Sequence, residues 1–162
     1  MNDTLKTIIE KMRAALESDP DGLIIGKFRS GKEIDSSIFK DATKEYADFL
    51  AISNGARCGS IDLFPFEIMS ESQSFLDLLE NLEDAQEQWI YIGQVLYDPI
   101  IINKINGFVY HFYEGLPLEK RECYGTFEEF LINYVFGKRY SEIIPDANND
   151  EWYQLLKRLQ II

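Results

Sequence analysis

The chain has 162 residues, 46% of them hydrophobic and 14% aromatic, which suits one domain with a large core and argues against disorder. Its 16 basic and 28 acidic residues give a net charge of −12, a potential that repels nucleic acid and anionic membrane surfaces and suits a basic protein partner. No run approaches the roughly 20 apolar residues that span a bilayer. The start, Met1-Asn2-Asp3-Thr4-Leu5-Lys6, lacks the apolar stretch of a signal peptide, so a cytoplasmic location is expected.

Leu5, Ile8, Ile9, Met12, Ala15 and Leu16 follow the spacing of an amphipathic helix, closed by Asp19-Pro20-Asp21-Gly22. Leu23-Ile24-Ile25 predicts a short strand, and residues 26–33 a loop. A second helix is predicted over Ser37 to Ser53, with Phe39, Ala42, Tyr46, Phe49 and Leu50 as its buried stripe and Asn54-Gly55 as its stop. A polar turn through Cys58, Gly59 and Ser60 leads to a strand at Ile61-Asp62-Leu63-Phe64, ended by Pro65. Phe75, Leu76, Leu79 and Leu82 predict helix within Ser70 to Glu87.

The middle of the chain turns to β structure. Trp89 to Leu96 reads as a strand with Gly93 as a possible bulge. Pro99 to Ile105 and Phe108 to Tyr113 flank Asn106-Gly107, a hairpin signal. A two-residue type I′ turn sets Ile105 against Phe108, Asn103 against Tyr110 and Ile101 against Phe112, on the expected core side. A four-residue or longer loop starting at Asn103 changes that register. Thr126 and Glu129 have capping-box spacing, with Phe127, Phe130, Leu131, Tyr134 and Val135 as the buried stripe and Gly137 as the stop. Asn148-Asn149-Asp150 opens a last helix carrying Trp152, Leu155, Leu156 and Leu159. The fold class is α+β: one domain over residues 1–162, an antiparallel or mixed sheet of about four to six strands with flanking helices.

Reactive chemistry is sparse. His111 is the only histidine and lies in a strand-like run, which reads as a sheet histidine. Cys58 and Cys123, the only cysteines, read as two buried thiols in a reducing compartment. With one histidine they make no normal zinc set, so neither metal nor cofactor is expected. Gly26-Lys27-Phe28-Arg29-Ser30-Gly31-Lys32 has the glycines of a phosphate loop without its spacing, and Glu33 stands where the hydroxyl belongs. The candidate partner-binding residues are acidic: Asp77, Glu80, Asp84 and Glu87 fall at helical spacing beside Glu83. Trp89 and Tyr91 follow, either as aromatic anchors beside that rim or as core.

Four segments carry a family resemblance. Tyr46-Ala47-Asp48-Phe49-Leu50-Ala51-Ile52-Ser53-Asn54-Gly55 resembles the first motif of the SUKH superfamily, the Smi/Knr-like domains, where a helix ending in Phe-Leu runs into Asn-Gly. Trp89-Ile90-Tyr91-Ile92-Gly93 resembles its strand ending in Ile-Gly. Asp98-Pro99-Ile100-Ile101-Ile102 and Gly107-Phe108-Val109-Tyr110 resemble its hairpin, and Thr126-Phe127-Glu128-Glu129-Phe130-Leu131 its closing helix. The resemblance implies an α+β fold and a protein-binding, non-enzymatic role with no catalytic residue. Bacterial members resemble immunity proteins that neutralise toxins, often nucleases; fungal relatives regulate cell-wall synthesis. The expectation is an immunity protein for a basic toxin domain. The alternatives are an intracellular adaptor of the same fold, or a small-molecule binder with a pocket near His111, Tyr113 and Cys123.

Overall fold

The structure is a computed structural model and describes residues 1–19, 22, 24–35, 39, 41–79, 85–113 and 121–162. It is α+β. Seven antiparallel strands form one sheet in chain order: β1 Gly26–Phe28, β2 Ala56–Cys58, β3 Ile61–Leu63, β4 Trp89–Val95, β5 Asp98–Asn103, β6 Phe108–His111 and β7 Glu122–Thr126. That is one strand more than the expected range, and none is parallel. β2 and β7 form where no strand is expected, β2 running into the predicted polar turn at Cys58. β1 forms at Gly26–Phe28, inside the predicted loop, while Ile24 and Ile25 lie outside any strand and Leu23 lies outside the described residues. Pairing with β2 decides its place: Gly26 faces Cys58 and Phe28 faces Ala56.

The helices are α1 Asp3–Glu17, α2 Lys44–Ile52, α3 Phe66–Glu71, α4 Ala85–Gln88, α5 Phe127–Phe130, α6 Tyr140–Ile143 and α7 Glu151–Arg158. Asn2 caps α1 through its side chain, which accepts from the Leu5 amide. α2 starts later than predicted, after a 3₁₀ turn at Asp41–Thr43; Ser37 lies outside the described residues. The Asn54-Gly55 stop has a second role. Asn54 Oδ1 accepts from the Phe66 amide at 2.8 Å and so caps the start of α3. Gly55 has φ +83°, and a Cβ there would lie 2.6 Å from the Pro65 nitrogen. The Thr126–Glu129 capping box is present in full, and α5 continues into a π-helical turn at Leu131–Val135. Asp150 caps α7 through the Tyr153 amide.

The predicted β5–β6 hairpin forms with a different register. Ile101 pairs with Tyr110 and Ile102 with Val109, so the loop is residues 104–107 and the two-residue turn does not occur. Asn103 Oδ1 explains this by accepting from the amides of Ile105 and Asn106, which closes a wider side-chain-stabilised turn. The slip is two residues, so every side chain keeps its predicted face. The core assignment of those faces was inverted, however. Ile90, Ile100, Ile102 and Val109 point into the main core beneath α1, α2, α5 and α7, whereas Ile101 and Phe112 belong to a second, smaller cluster on the opposite face. Both faces are buried because each is covered by helical segments.

A bulge re-aims each of two strands. The β4–β5 register shifts between Tyr91 and Gly93, where a Cβ on Gly93 would lie 2.1 Å from the Asp62 carbonyl oxygen. The β6–β7 register shifts so that Val109 faces Gly125 and Tyr110 faces Cys123, leaving Tyr124 unpaired. Cys58 is fully buried, but Cys123 is exposed, which corrects the expectation of two buried thiols. Strand alternation at the sheet's last edge puts it outward. Among the described residues, no helix is long and apolar enough to cross a membrane.

Candidate partner-binding surface

The second face of the sheet is roofed by a lid made of a 3₁₀ helix at Ser72–Leu78 and α4. Helix is expected over part of Ser70 to Glu87 and forms in pieces of different type, with Leu82 outside the described residues. Leu79 is extended, with ψ 109°, and the three-residue repeat of the 3₁₀ helix replaces the α-helical spacing. That repeat sorts the side chains. Gln73, Leu76 and Leu79 face the sheet, and Leu76 is completely buried among Trp89, Tyr91, Ile101 and Phe112. Phe75 and Leu78 fall on the outer side, 36% and 73% exposed.

Gln73 latches this lid. Its side-chain amide accepts from the Tyr91 amide at 2.9 Å and donates to the Tyr91 carbonyl at 3.0 Å, at the residue where the β4 register breaks. A glutamine side chain thus satisfies both backbone groups of Tyr91 as a neighbouring strand would. The Phe75 ring stacks on Tyr91 at 5.0 Å, so one half of it is anchored and the other meets solvent.

The sequence-predicted residues distribute as follows. Asp77 is exposed on the 3₁₀ helix, where its carboxylate accepts from Gln86 Nε2, and Glu87 is exposed on α4. Glu80, Glu83 and Asp84 lie outside the described residues. Trp89 and Tyr91 are each only 7% exposed and form the floor of the second cluster, with Trp89 edge-on to Tyr110 at 5.3 Å. They are core and not surface anchors, because β4 is the central strand of the seven, in a sheet covered on both sides. The exposed apolar groups beside the acids are Phe75 and Leu78, with Ile68 exposed on α3. Sequence reading missed them because α-helical spacing put Phe75 in the buried stripe; only a three-residue period separates it from Leu76.

The region around His111 is built differently. The β7 bulge turns Tyr124 onto the face that holds His111, and His111 Nδ1 lies 2.7 Å from the Tyr124 hydroxyl. Tyr124 in turn lies 3.4 Å from Glu122 Oε2, and the His111 ring packs on Tyr113 at 4.4 Å. His111 Nε2 is 3.8 Å from Asp98 Oδ2 and makes no hydrogen bond. Burial favours a neutral imidazole, whose Nδ1 shares a hydrogen bond with the Tyr124 hydroxyl. Burial lowers the His111 pKa, and the Asp98 and Glu122 carboxylates oppose that shift. Burial likewise raises the Tyr124 and Tyr113 phenols. His111 is 1% exposed, while Asp98 and Tyr113 beside it are half-buried and Glu122 and Cys123 are exposed. Among the described residues, no group of three or more His, Cys, Asp or Glu side chains is placed to hold a metal ion.

No protein-family model matches the chain, and no curated protein matches it.

Proposed function

We propose that this chain is a non-enzymatic protein-binding domain of the Smi/Knr-like (SUKH) type that neutralises a basic toxin domain, such as a nuclease, by direct binding in the cytoplasm. The observation that carries the reading is the outer side of the lid. Phe75 and Leu78 stand exposed beside Asp77 on a segment latched to the sheet by Gln73. An apolar centre with an acidic rim is the chemistry that a basic protein surface recognises, the apolar part giving affinity and the charge giving rate. The net charge of −12 adds long-range attraction for such a partner. The order of elements also supports the family reading. The helix that carries Phe49-Leu50, the Asn54-Gly55 turn, the strand through Ile92-Gly93, the hairpin and the capped closing helix occur in the order the resemblance requires.

The test is capture of partners from native lysate by the tagged protein, with washes at low and then high salt, alongside a Leu78→Lys variant. A basic protein held at low salt, released by high salt and not held by the variant supports binding through this surface. Expressing that partner in a host lacking this chain separates the roles: growth arrest, rescued by co-expression, marks immunity, and continued growth marks an adaptor. Retention by the variant equal to the parent sinks the lid as the interface.

A further inference from the structure

A groove of about 450 Å³ runs between the C-terminal half of α1 and the outer edge of β1, lined by Arg13, Glu17, Lys27, Phe28 and Arg29 and ending at Ser30 and Gly31. Two independent features of it point to the same ligand. One is charge. Arg13, Lys27 and Arg29 gather here on a chain of net charge −12, and none of them makes an ion pair with a described residue, while Glu17 is the one carboxylate in the lining. Arg13 is fixed in place: Nη2 donates to the carbonyls of Arg29 and Ile52 at 2.9 and 2.6 Å, and the guanidinium lies 5.7 Å from the centre of the Phe28 ring.

The other feature is backbone. β1 is the first strand of the sheet, with β2 on one side and, among the described residues, no strand on the other. The Gly59 amide donates to the Ile25 carbonyl at 2.7 Å, so Ile25–Gly59 and then Lys27–Arg57 are the hydrogen-bonded pairs with β2. Gly26 and Phe28, between them, direct their N–H and C=O groups outward along the groove. Lys27 and Arg29, two apart, project to one side of that edge, and Arg13 reaches it from α1.

We propose that this edge binds an extended acidic peptide segment of another protein, which adds as a strand beside β1 with its carboxylates on Lys27 and Arg29. Backbone pairing to Gly26 and Phe28 supplies affinity that does not depend on sequence, the two cations Lys27 and Arg29 select acidic side chains, and Arg13 adds positive potential from the other face. The surface is separate from the lid and does not depend on the lid's partner. It gives the domain a second contact of opposite polarity.

The experiment is an amide-resolved NMR titration of the labelled full chain with three capped hexapeptides: alternating Val-Glu, alternating Val-Lys, and Val-Glu N-methylated on alternate residues to block pairing. The expected result is perturbation centred on the Gly26 and Phe28 amides by the Val-Glu peptide alone. Lys27→Glu with Arg29→Glu, both at exposed positions, is expected to weaken that binding about tenfold, the size of two lost exposed ion pairs. No perturbation of those amides, equal binding of the Val-Lys peptide, or unchanged binding of the N-methylated peptide overturns the proposal. Inorganic phosphate moving the same amides as strongly as the Val-Glu peptide also overturns it, in favour of a simple anion site.

Discussion

His111 Nδ1 and the Tyr124 hydroxyl lie 2.7 Å apart inside the fold, because the one unpaired residue of β7 is the one that must reach the only histidine. Burial sets the folded pKa of His111 below the ordinary 6.5, against the opposing pull of Asp98 and Glu122. Between 6.5 and the depressed folded value, the unfolded chain takes up a proton that the folded chain refuses, so stability rises with pH across that window. The contribution is whole above pH 6.5 and is lost as pH falls through the folded value. Denaturant midpoints measured in steps from pH 8 to 5 are expected to fall below pH 6.5, and His111→Gln to flatten that slope. Glu67, held down to about 2 chiefly by its hydrogen bond from Lys32, acts only at lower pH and does not confuse the reading. A parent protein with constant midpoint over this range contradicts the assignment.

Two buried tyrosines are expected to respond to the same substitution with opposite signs. The Tyr46 hydroxyl is fully buried and has no hydrogen-bond partner among the described residues. Tyr46→Phe removes a desolvated polar group and is expected to raise stability by about 1 kcal/mol. The Tyr140 hydroxyl accepts from the Ser60 amide and donates to Asp150 Oδ2, both at 3.1 Å, tying the β2–β3 turn to the cap of α7. Tyr140→Phe strands the Ser60 N–H and is expected to cost about 1–3 kcal/mol. Equilibrium unfolding of the two variants decides; changes of the same sign sink the account.

Gln73→Leu removes both hydrogen bonds to the Tyr91 backbone while keeping an apolar side chain on the buried side of the lid. A loss of about 2 kcal/mol is expected, with faster amide exchange at Tyr91 and along Ser72–Leu78 than elsewhere. Uniform loss of protection across the sheet would mean that the lid is not a separable unit.

The parts of this fold legible in the sequence are those whose cause is local. The Thr126–Glu129 box and the Asp150 cap need only residues three apart, and both form as read. Gly93 marked the place where β4 bends because no side chain fits against Asp62. What was illegible depends on partners distant in sequence. Leu23-Ile24-Ile25 has the stronger strand composition, yet Gly26–Phe28 pairs, since β2 lies beside it. Ile100, Ile101 and Ile102 are chemically alike, so nothing local says that the outer two face the main core and Ile101 the lid. For the candidate surface, the acidic character of the segment was legible. Its apolar centre was not, because choosing between Phe75 and Leu76 requires knowing the helix type.

That choice gives the last prediction. Trp89 is 7% exposed beneath the lid and edge-on to both Tyr110 and Phe112, so Trp89→Ala is expected to cost about 3–5 kcal/mol of folding stability. Leu78 is 73% exposed, and Leu78→Ala is expected to change stability by less than about 0.5 kcal/mol. The two residues lie in the same stretch of sequence and both border the acidic cluster, so a binding assay alone cannot assign their roles. A binding loss in Trp89→Ala that tracks its unfolded fraction is a folding effect, whereas a loss in Leu78→Ala at unchanged midpoint is contact. If Leu78→Ala unfolds the protein as readily as Trp89→Ala, the outer side of the 3₁₀ helix is packed and the lid offers no apolar centre to a partner.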